Sequence, residues 1–208
     1  MSETTNIQKR PWWFRLKKVN RYLALYGWPR TRAKIRAERH MNKRYRKLPT
    51  PPQEFMPSQR VGLIGCGRYA YSTIAYFLRE NYGRVLAAVM DKELHRAASL
   101  AQAYSAGFYT DDVERVIQSD RAELLYIVSN HASHCEYAVR ALRAGKHVYI
   151  EKPPVVDEAQ LAELLDAAEH SEGKIFLGYN RPVSQYGKLA LDYLRGQPGP
   201  GVYNWFVT

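Results

Sequence analysis

The sequence contains little cysteine and no long apolar run. Its only cysteines are Cys66 and Cys135, too few for a disulfide framework, so we expect both to be free thiols in a reducing compartment. No window approaches the roughly 20 apolar residues that a membrane-spanning helix needs. The N-terminus also lacks the apolar core of a signal peptide. These absences predict a cytoplasmic protein.

Acidic residues are scarce at the start of the chain. Residues 1–58 hold 15 Lys and Arg against 3 Asp and Glu, a net charge of +12, whereas residues 59–208 hold 16 against 17, a net charge of −1. The chain's formal net charge of +11 therefore belongs to its N-terminal part. We predict a basic helical extension and a proline-rich linker at residues 1–58, followed by a globular domain.

The extension carries an apolar set at helical spacing, which comprises Trp12, Leu16, Val19, Leu23 and Tyr26. Pro29 should interrupt this helix, and Thr31 should cap a second helix that runs to about residue 46. Prolines at positions 49, 51, 52 and 57 predict a linker.

Three partners suit such an extension. The helices can dock on the following domain or on a second subunit, or residues 10–46 can lie on an anionic membrane surface at the inner membrane face. Nucleic acid is the least favoured partner, because no known binding module is present.

Motifs of several nucleotide-dependent and hydrolytic classes are missing. No Tyr is followed by Lys four positions later, which excludes the Tyr/Lys pair of short-chain dehydrogenases. No G-x-x-x-x-G-K-[ST] loop and no G-x-S-x-G elbow occurs, which argues against P-loop proteins and α/β-hydrolases.

What the chain does contain is a glycine turn after a short apolar run at residues 61–64, with the sequence Gly65-Cys66-Gly67-Arg68-Tyr69-Ala70. A helix-compatible segment follows at residues 69–80. A strand, a glycine turn and a helix N-terminus together bind the pyrophosphate of a dinucleotide. Gly65 permits the tight turn, Gly67 leaves room for the phosphate, and Ala70 is small enough for close helix–strand packing.

The rest of the domain alternates between strands and helices. Strands are predicted at residues 85–90, 108–109, 124–128, 146–150 and 174–177, with helices between them, the last of which Asp157 should cap. Such alternation predicts an α/β fold with a doubly wound parallel sheet.

Asp91 follows the second predicted strand, 26 positions after Gly65. A carboxylate there can accept hydrogen bonds from the adenosine ribose of NAD and would repel the 2′-phosphate of NADP. We therefore predict that NAD is preferred, although Lys92 and Arg96 lie nearby. Asp91 can equally serve as a helix cap.

Polar residues also follow the two later strands. Ser129-Asn130-His131-Ala132-Ser133-His134 comes after one, and Glu151-Lys152-Pro153 comes after the next. Ligands of doubly wound sheets lie beyond such strand ends, and a lysine there can assist proton transfer. The histidines favour backbone hydrogen bonding over metal binding, so we predict no metal site. An exposed salt bridge is the plain alternative for Glu151 and Lys152.

Together these motifs resemble the Gfo/Idh/MocA oxidoreductases. The resemblance rests on Gly145-Lys-His-Val-Tyr-Ile-Glu-Lys-Pro153 and on the glycine turn, Asp91, the segment ending in His134 and Gly178-Tyr179-Asn180-Arg181, all in the family's order. It covers residues 59–195 and implies a Rossmann sheet and an NAD(P)-dependent reaction on a hydroxyl of a sugar, cyclitol or sugar nucleotide. Asn130 departs from the family, which commonly has proline there.

The resemblance implies that Lys152 is the catalytic lysine and that a wider set of residues binds the cofactor. This set is Gly65, Gly67, Arg68, Tyr69, Ala70, Asp91, Ser129, Asn130, His134, Glu151, Lys152 and Arg181. Family members also carry a second α/β domain that contacts the small sugar-type substrate and often forms a homo-oligomer.

The sequence divides into three parts on this basis: the extension (1–58), the dinucleotide-binding domain (59–178) and the start of an incomplete second domain (179–208). Residues 201–208 resemble the first strand of that second domain. An alternative hypothesis is an inactive nucleotide-binding module that acts through its basic extension on a membrane or a partner.

Overall fold

The computed structural model describes residues 11–51 and 55–196, without the side chains of residues 15, 181 and 182. Six strands form one sheet in the order β3-β2-β1-β4-β5-β6, and every neighbouring pair is parallel. The strands are β1 (Val61–Ile64), β2 (Leu86–Met90), β3 (Phe108–Thr110), β4 (Leu124–Ile127), β5 (His147–Ile150) and β6 (Ile175–Leu177). The predicted doubly wound parallel sheet is confirmed.

Helices precede, connect and follow these strands. They are α1 (Trp12–Met41), α2 (Ala75–Tyr82), α3 (Leu94–Tyr104), α4 (Glu114–Ile117), α5 (His134–Arg143), α6 (Glu158–Glu169), α7 (Asn180–Val183) and α8 (Gln185–Arg195). A π-helical turn (Ala70–Ile74) leads into α2, and a short 3₁₀ turn (His131–Ser133) leads into α5. As the sequence predicts, the carboxylate of Asp157 caps α6 by accepting the Gln160 N–H at 2.8 Å.

Apolar side chains cover the sheet on both faces. All five residues of β2 are buried, as expected for a central parallel strand with helices on either side. One core cluster gathers side chains of α5 and α6, and the other gathers those of α1, the π-helical turn, α2 and α3. The strand order reverses between β1 and β4, so a crevice opens beyond their carboxyl ends, where doubly wound folds bind ligands.

Helix α1 is broken at Gly27 rather than at Pro29. Gly27 has φ 75° and ψ 171°, which are non-helical angles, and Pro29 lies in the first turn after the break, where proline is tolerated. Thr31 does not cap a second helix, because its hydroxyl donates to the carbonyl of Gly27 at 2.9 Å. The helix ends at Met41, earlier than the predicted residue 46.

The two halves of α1 have different surroundings. We call residues 12–26 the outer segment and residues 28–41 the docked segment. In the docked segment Ala33, Ala37 and His40 are buried against the π-helical turn and α3. The outer segment exposes most of its large apolar side chains, which include Trp12, Trp13, Leu16, Val19 and Tyr26. Docking on the domain, one of the three partners that the sequence leaves open, therefore accounts for the docked segment only.

The remaining sequence predictions have mixed outcomes. Both cysteines are buried free thiols, as predicted. Within residues 11–51 and 55–196, no helix is long and apolar enough to cross a membrane, and no three His, Cys, Asp or Glu side chains are grouped to hold a metal ion. The strand predicted at residues 201–208 lies outside the described part of the chain.

Candidate functional site

The glycine turn directly follows β1 in the chain and packs against the backbone just after β4. Gly65 has φ 94°, and its N–H donates to the carbonyl of Met90 at 2.8 Å. A Cβ at this position would lie 2.6 Å from the carbonyl oxygen of Val128 and 2.7 Å from the nitrogen of Ser129. Both the left-handed angle and this close approach of two backbones therefore require glycine here.

Gly67, in contrast, lies where the backbone is open rather than crowded. A Cβ at Gly67 would meet no atom within 4 Å, so the backbone there faces an open cleft. The following helical turn begins at Ala70, which is fully buried against the sheet. The first N–H groups of a helix have no acceptor within it and carry a partial positive charge. This open backbone beside a helix start is a cradle that fits a phosphate group.

Asp91 ties the glycine turn to the next helix. Its Oδ2 accepts the N–H of Cys66 at 2.8 Å, and its Oδ1 accepts the N–H of Glu93 at 2.9 Å. Each carboxylate oxygen can accept a further hydrogen bond. Asp91 therefore forms a turn just before α3, whose N-cap residue is Glu93 and which has no side-chain cap, and it still presents acceptors beside the cradle.

A cleft of about 430 Å³ runs along the carboxyl end of the sheet. We call it the cofactor trough. It is lined by Gly65, Gly67, Met90, Asp91, Lys92, Arg96, Val128, Ser129, Asn130, Ser133 and Tyr137. Two cations and one carboxylate thus stand at the end where an adenosine ribose would lie.

A second cleft, of about 390 Å³, continues from the trough past the end of β4. We call it the lysine pocket. It is lined by Tyr69, Val128, Ser129, His131, His134, Glu151, Lys152, Gly178 and Asn180. Val128 and Ser129 line both clefts, so a long ligand could pass from one to the other without leaving this edge of the sheet.

The carboxylate of Glu151 is fixed within the lysine pocket. Its Oε1 accepts the hydroxyl proton of Tyr149 at 2.8 Å, and its Oε2 accepts the N–H of Lys152 at 3.3 Å. Burial, and then the negative charge of Glu151, raise the pKa values of Tyr69 and Tyr149, which keeps both phenols protonated. The side chain of Lys152 is exposed to the pocket.

The loop after β4 is held by its own polar groups. Asn130 Oδ1 caps the 3₁₀ turn by accepting the Ser133 N–H at 3.2 Å, and Ser133 donates from its hydroxyl to that of Ser129 at 2.9 Å. Asn130 has φ −76° and ψ 154°, angles that proline also adopts. The backbone of Asn130 is therefore one that proline could adopt, whereas its side-chain cap is one that proline could not make.

His134 joins this loop to the segment after β5. Nearly fully buried, its ring places Nδ1 2.7 Å from the carbonyl of Pro153 and Nε2 3.2 Å from the carbonyl of Ser129. A carbonyl oxygen only accepts, so a ring nitrogen that carries a proton donates it to the carbonyl that it faces. His134 thus positions the two loops through backbone carbonyls, as the non-metal alternative expects.

Comparison with known proteins places this geometry in a family. Residues 59–179 match the model of the oxidoreductase family with an NAD-binding Rossmann fold, Gfo/Idh/MocA. The chain belongs to the Gfo/Idh/MocA family. The resemblance drawn from the motifs is therefore confirmed.

Curated relatives are longer than this chain. Oxidoreductase P35 of Formosa agariphila is 34% identical over 131 residues, which are 62% of this chain and 40% of that protein. D-glucoside 3-dehydrogenase of Escherichia coli is 32% identical over 109 residues, 52% of this chain and 31% of the relative. The chain therefore spans less than half the length of these relatives.

Solved structures support the same fold. An NAD binding oxidoreductase from Klebsiella pneumoniae superposes with a TM-score of 0.56 at 29% identity, covering 65% of this chain and 38% of that one. The 3-ketoreductase KijD10 from Actinomadura kijaniata, in complex with TDP-benzene and NADP, gives a TM-score of 0.59 at 24% identity for its Y186F mutant, with 65% and 42% covered.

Most of the site residues predicted for this Gfo/Idh/MocA chain lie in the two clefts, but two of the described ones do not. Arg68 forms an ion pair with Glu38 of the docked segment at 3.1 Å. Ala70 is fully buried in the core, where it packs. The side chain of Arg181 lies outside the described part of the chain.

Sequence reasoning missed His40 near the turn, and Tyr149 and Asn180 at the lysine pocket. His40 donates from Nε2 to the carbonyl of Cys66 at 2.6 Å and stacks on Tyr71, and burial lowers its pKa. No local pattern predicts this long-range contact. Tyr149 could have been found, because it is two positions before Glu151 and a strand places such residues on one face. Asn180 lies within the motif at residues 178–181, but it is not among the predicted site residues.

Proposed function

We propose that this chain is the cofactor-binding part of an NAD(P)-dependent oxidoreductase that acts on a hydroxyl of a sugar, cyclitol or sugar nucleotide. The observation that carries the proposal is the continuity of the two clefts through Ser129. Gly67 would hold the pyrophosphate of a dinucleotide, Asp91 would hold its adenosine ribose, and Lys152 would face its reactive end. The sugar-type substrate is supported by the name of the Escherichia coli relative.

The protein's own groups divide the remaining work. When bound, the nicotinamide ring accepts or returns a hydride at the substrate carbon. Lys152, whose side chain is exposed in the pocket, hydrogen-bonds the substrate hydroxyl and moves its proton. Glu151 is anchored by Tyr149 and holds the backbone of Lys152 in place through its N–H.

The division of the chain is part of this proposal. Residues 59–178 form the dinucleotide-binding domain, and residues 179–208 begin a second domain that completes the substrate site and a homo-oligomer interface. The incomplete coverage of the curated relatives supports this division. The comparisons give no support to the alternative of an inactive nucleotide-binding module.

Cofactor binding and turnover test the proposal separately. Titration of NADH into the 208-residue chain should give saturable binding with one site, which ADP-ribose displaces. A longer natural chain that contains the second domain should reduce NAD⁺ with a panel of sugars and inositols. If neither chain binds NADH, the cofactor site is refuted. If the longer chain binds NADH without turnover, the inactive module is favoured.

Cofactor preference gives a second test. Because the Asp91 carboxylate stands beside the trough, we expect NADH to bind at least about tenfold more tightly than NADPH. Asp91→Asn should narrow this ratio, whereas the matched change Asp120→Asn, in an exposed loop before β4, should not. Fluorescence titration measures both constants. Equal affinities in the unchanged chain would show that Lys92 and Arg96 outweigh Asp91, and the preference for NAD would then be wrong.

The outer segment supports a further candidate function, attachment to an anionic membrane surface. Its exposed tryptophans accompany Lys17, Lys18 and Arg21, and no acidic residue occurs from residue 4 to residue 37. We expect the chain to sediment with phosphatidylserine vesicles and not with neutral ones.

A deletion of residues 1–26 should abolish this sedimentation while leaving the docked segment in place. Trp12→Ser combined with Trp13→Ser should weaken it by about tenfold or more. Tyr186→Ser, at an equally exposed aromatic side chain of α8, is the matched control. If the deletion sediments as strongly as the full chain, the outer segment is not the attachment site.

A further inference from the structure

A third cleft, of about 580 Å³, lies between the docked segment, α2 and α3. It is larger than the cofactor trough or the lysine pocket and shares no residue with either. We call it the basic cleft. Its volume is in the range of small-molecule sites, roughly 300–1,000 Å³. The proposed function gives it no role.

Positive charge lines this cleft from two sides. Arg32, Arg36 and Arg39 follow one another at spacings of four and three residues, so they share one face of the docked segment. Lys43 follows just beyond the helix end, and Arg79 faces them from α2. Glu80 is the one acidic side chain in the lining.

Arg32, Arg36 and Arg39 of the docked segment have no ion-pair partner in the described part of the chain, residues 11–51 and 55–196. Like charges at this helical spacing repel one another, which opposes their clustering. Since the cleft concentrates them rather than spreading them over the surface, a bound anion would offset that repulsion.

Arg79 adds an independent observation. Its Nη1 is buried and has no hydrogen-bond acceptor among the described residues. A buried donor without an acceptor is costly, and more so when it is charged. The guanidinium group matches the geometry of phosphate oxygens, which can accept two parallel hydrogen bonds from it. Arg79 therefore indicates a phosphate rather than an apolar ligand.

The length of the charged face indicates more than one phosphate. Arg32 and Arg39 are about 10 Å apart along the helix axis, from the rise of 1.5 Å per residue. Cations spread over this length of helix can contact more than one phosphate group at once. We propose that the basic cleft binds a soluble small molecule with several phosphate groups, at a site separate from the cofactor trough.

Calorimetric titration of tripolyphosphate into the 208-residue chain tests this site. The expected result is saturable binding with one site, in a buffer free of phosphate and at fixed ionic strength. Inorganic phosphate should bind at least about tenfold more weakly, because it satisfies fewer of the guanidinium groups. An absence of tripolyphosphate binding, or an equal affinity for both anions, would overturn the proposal.

Charge-matched variants separate the cleft from general attraction. Arg36→Gln with Arg39→Gln should weaken tripolyphosphate binding about tenfold or more. Arg84→Gln with Lys174→Gln removes the same charge at exposed sites away from the cleft and should change the affinity less than twofold. Equal losses in both variants would mean that the net charge alone attracts the anion.

Two further measurements keep the result decisive. In the unchanged chain, tripolyphosphate should protect Arg36, Arg39 and Arg79 from phenylglyoxal, with Arg84 labelled as before. This protection measurement does not depend on the folding of any variant.

In vesicle sedimentation, tripolyphosphate should not displace the chain from phosphatidylserine. Protection by an oligonucleotide or by anionic vesicles, without protection by tripolyphosphate, would assign the cleft to nucleic acid or lipid and refute a small-molecule site.

Discussion

Replacing Gly65 with alanine is expected to destabilise the domain by about 3 kcal/mol and to abolish NADH binding. The φ of 94° is strained for any residue with a Cβ, and the added carbon would lie 2.6 Å from the carbonyl oxygen of Val128. Because that neighbour is backbone, relief requires β1 and the loop after β4 to move apart. Urea unfolding measures the loss of stability, and fluorescence titration measures NADH binding.

Gly67→Ala is the matched control for this prediction. Its added Cβ meets no atom within 4 Å, so the free energy of unfolding should change by no more than about 0.5 kcal/mol. The same Cβ projects into the cradle, so NADH binding should weaken about tenfold. If Gly65→Ala unfolds at the wild-type urea concentration, the turn is not under the strain described. If Gly67→Ala leaves NADH affinity unchanged, the pyrophosphate does not lie on this backbone.

Lys152→Ala, in a longer chain that carries the second domain, is expected to lower kcat by about 10²–10⁴. Its side chain is exposed in the lysine pocket and supports no part of the core, so NADH affinity and folding should change little. Initial-rate kinetics, with NADH titration of the same variant, separate the two effects. Lys174→Ala, at an exposed lysine before β6, is the control.

Lys152→Arg distinguishes a proton-transfer role from a charge. Arginine keeps the positive charge but does not release its proton near neutral pH. Activity should therefore stay within about threefold of the alanine variant if Lys152 moves the hydroxyl proton. Recovery of kcat by arginine would assign Lys152 to charge stabilisation only, and full activity of Lys152→Ala would remove it from the reaction.

Local sequence patterns predict the sheet and its ligand-binding edge well. The apolar runs before Gly65, Ser129 and Glu151 become β1, β4 and β5, and their carboxyl ends converge because the strands are parallel. This outcome depends on short-range features, namely apolar runs followed by glycine or polar residues. Strand ends shift by no more than one residue, as at β2, which begins at Leu86 rather than at residue 85.

Contacts between distant parts of the chain could not be predicted in this way. The spacing of Asp91 indicated a ribose ligand, but its hydrogen bonds to the N–H groups of Cys66 and Glu93 depend on how two loops meet in space. The ion pair of Arg68 with Glu38 joins residues from two parts that differ sharply in charge, and no periodicity relates them. Pro29 is the wrong position for the α1 break, because the break has a positive φ, which glycine adopts readily and proline cannot.

The docked segment shows that sequence similarity and cooperative folding need not share a boundary. The family match begins at residue 59, yet Ala37 belongs to the same core cluster as Leu63 and Val89. A chain shortened to the matching residues would uncover the ring of Tyr71 and leave the carbonyl of Cys66 without the His40 donor. The smallest unit that keeps the glycine turn intact therefore begins at the Gly27 break, about thirty residues before the start of the family match.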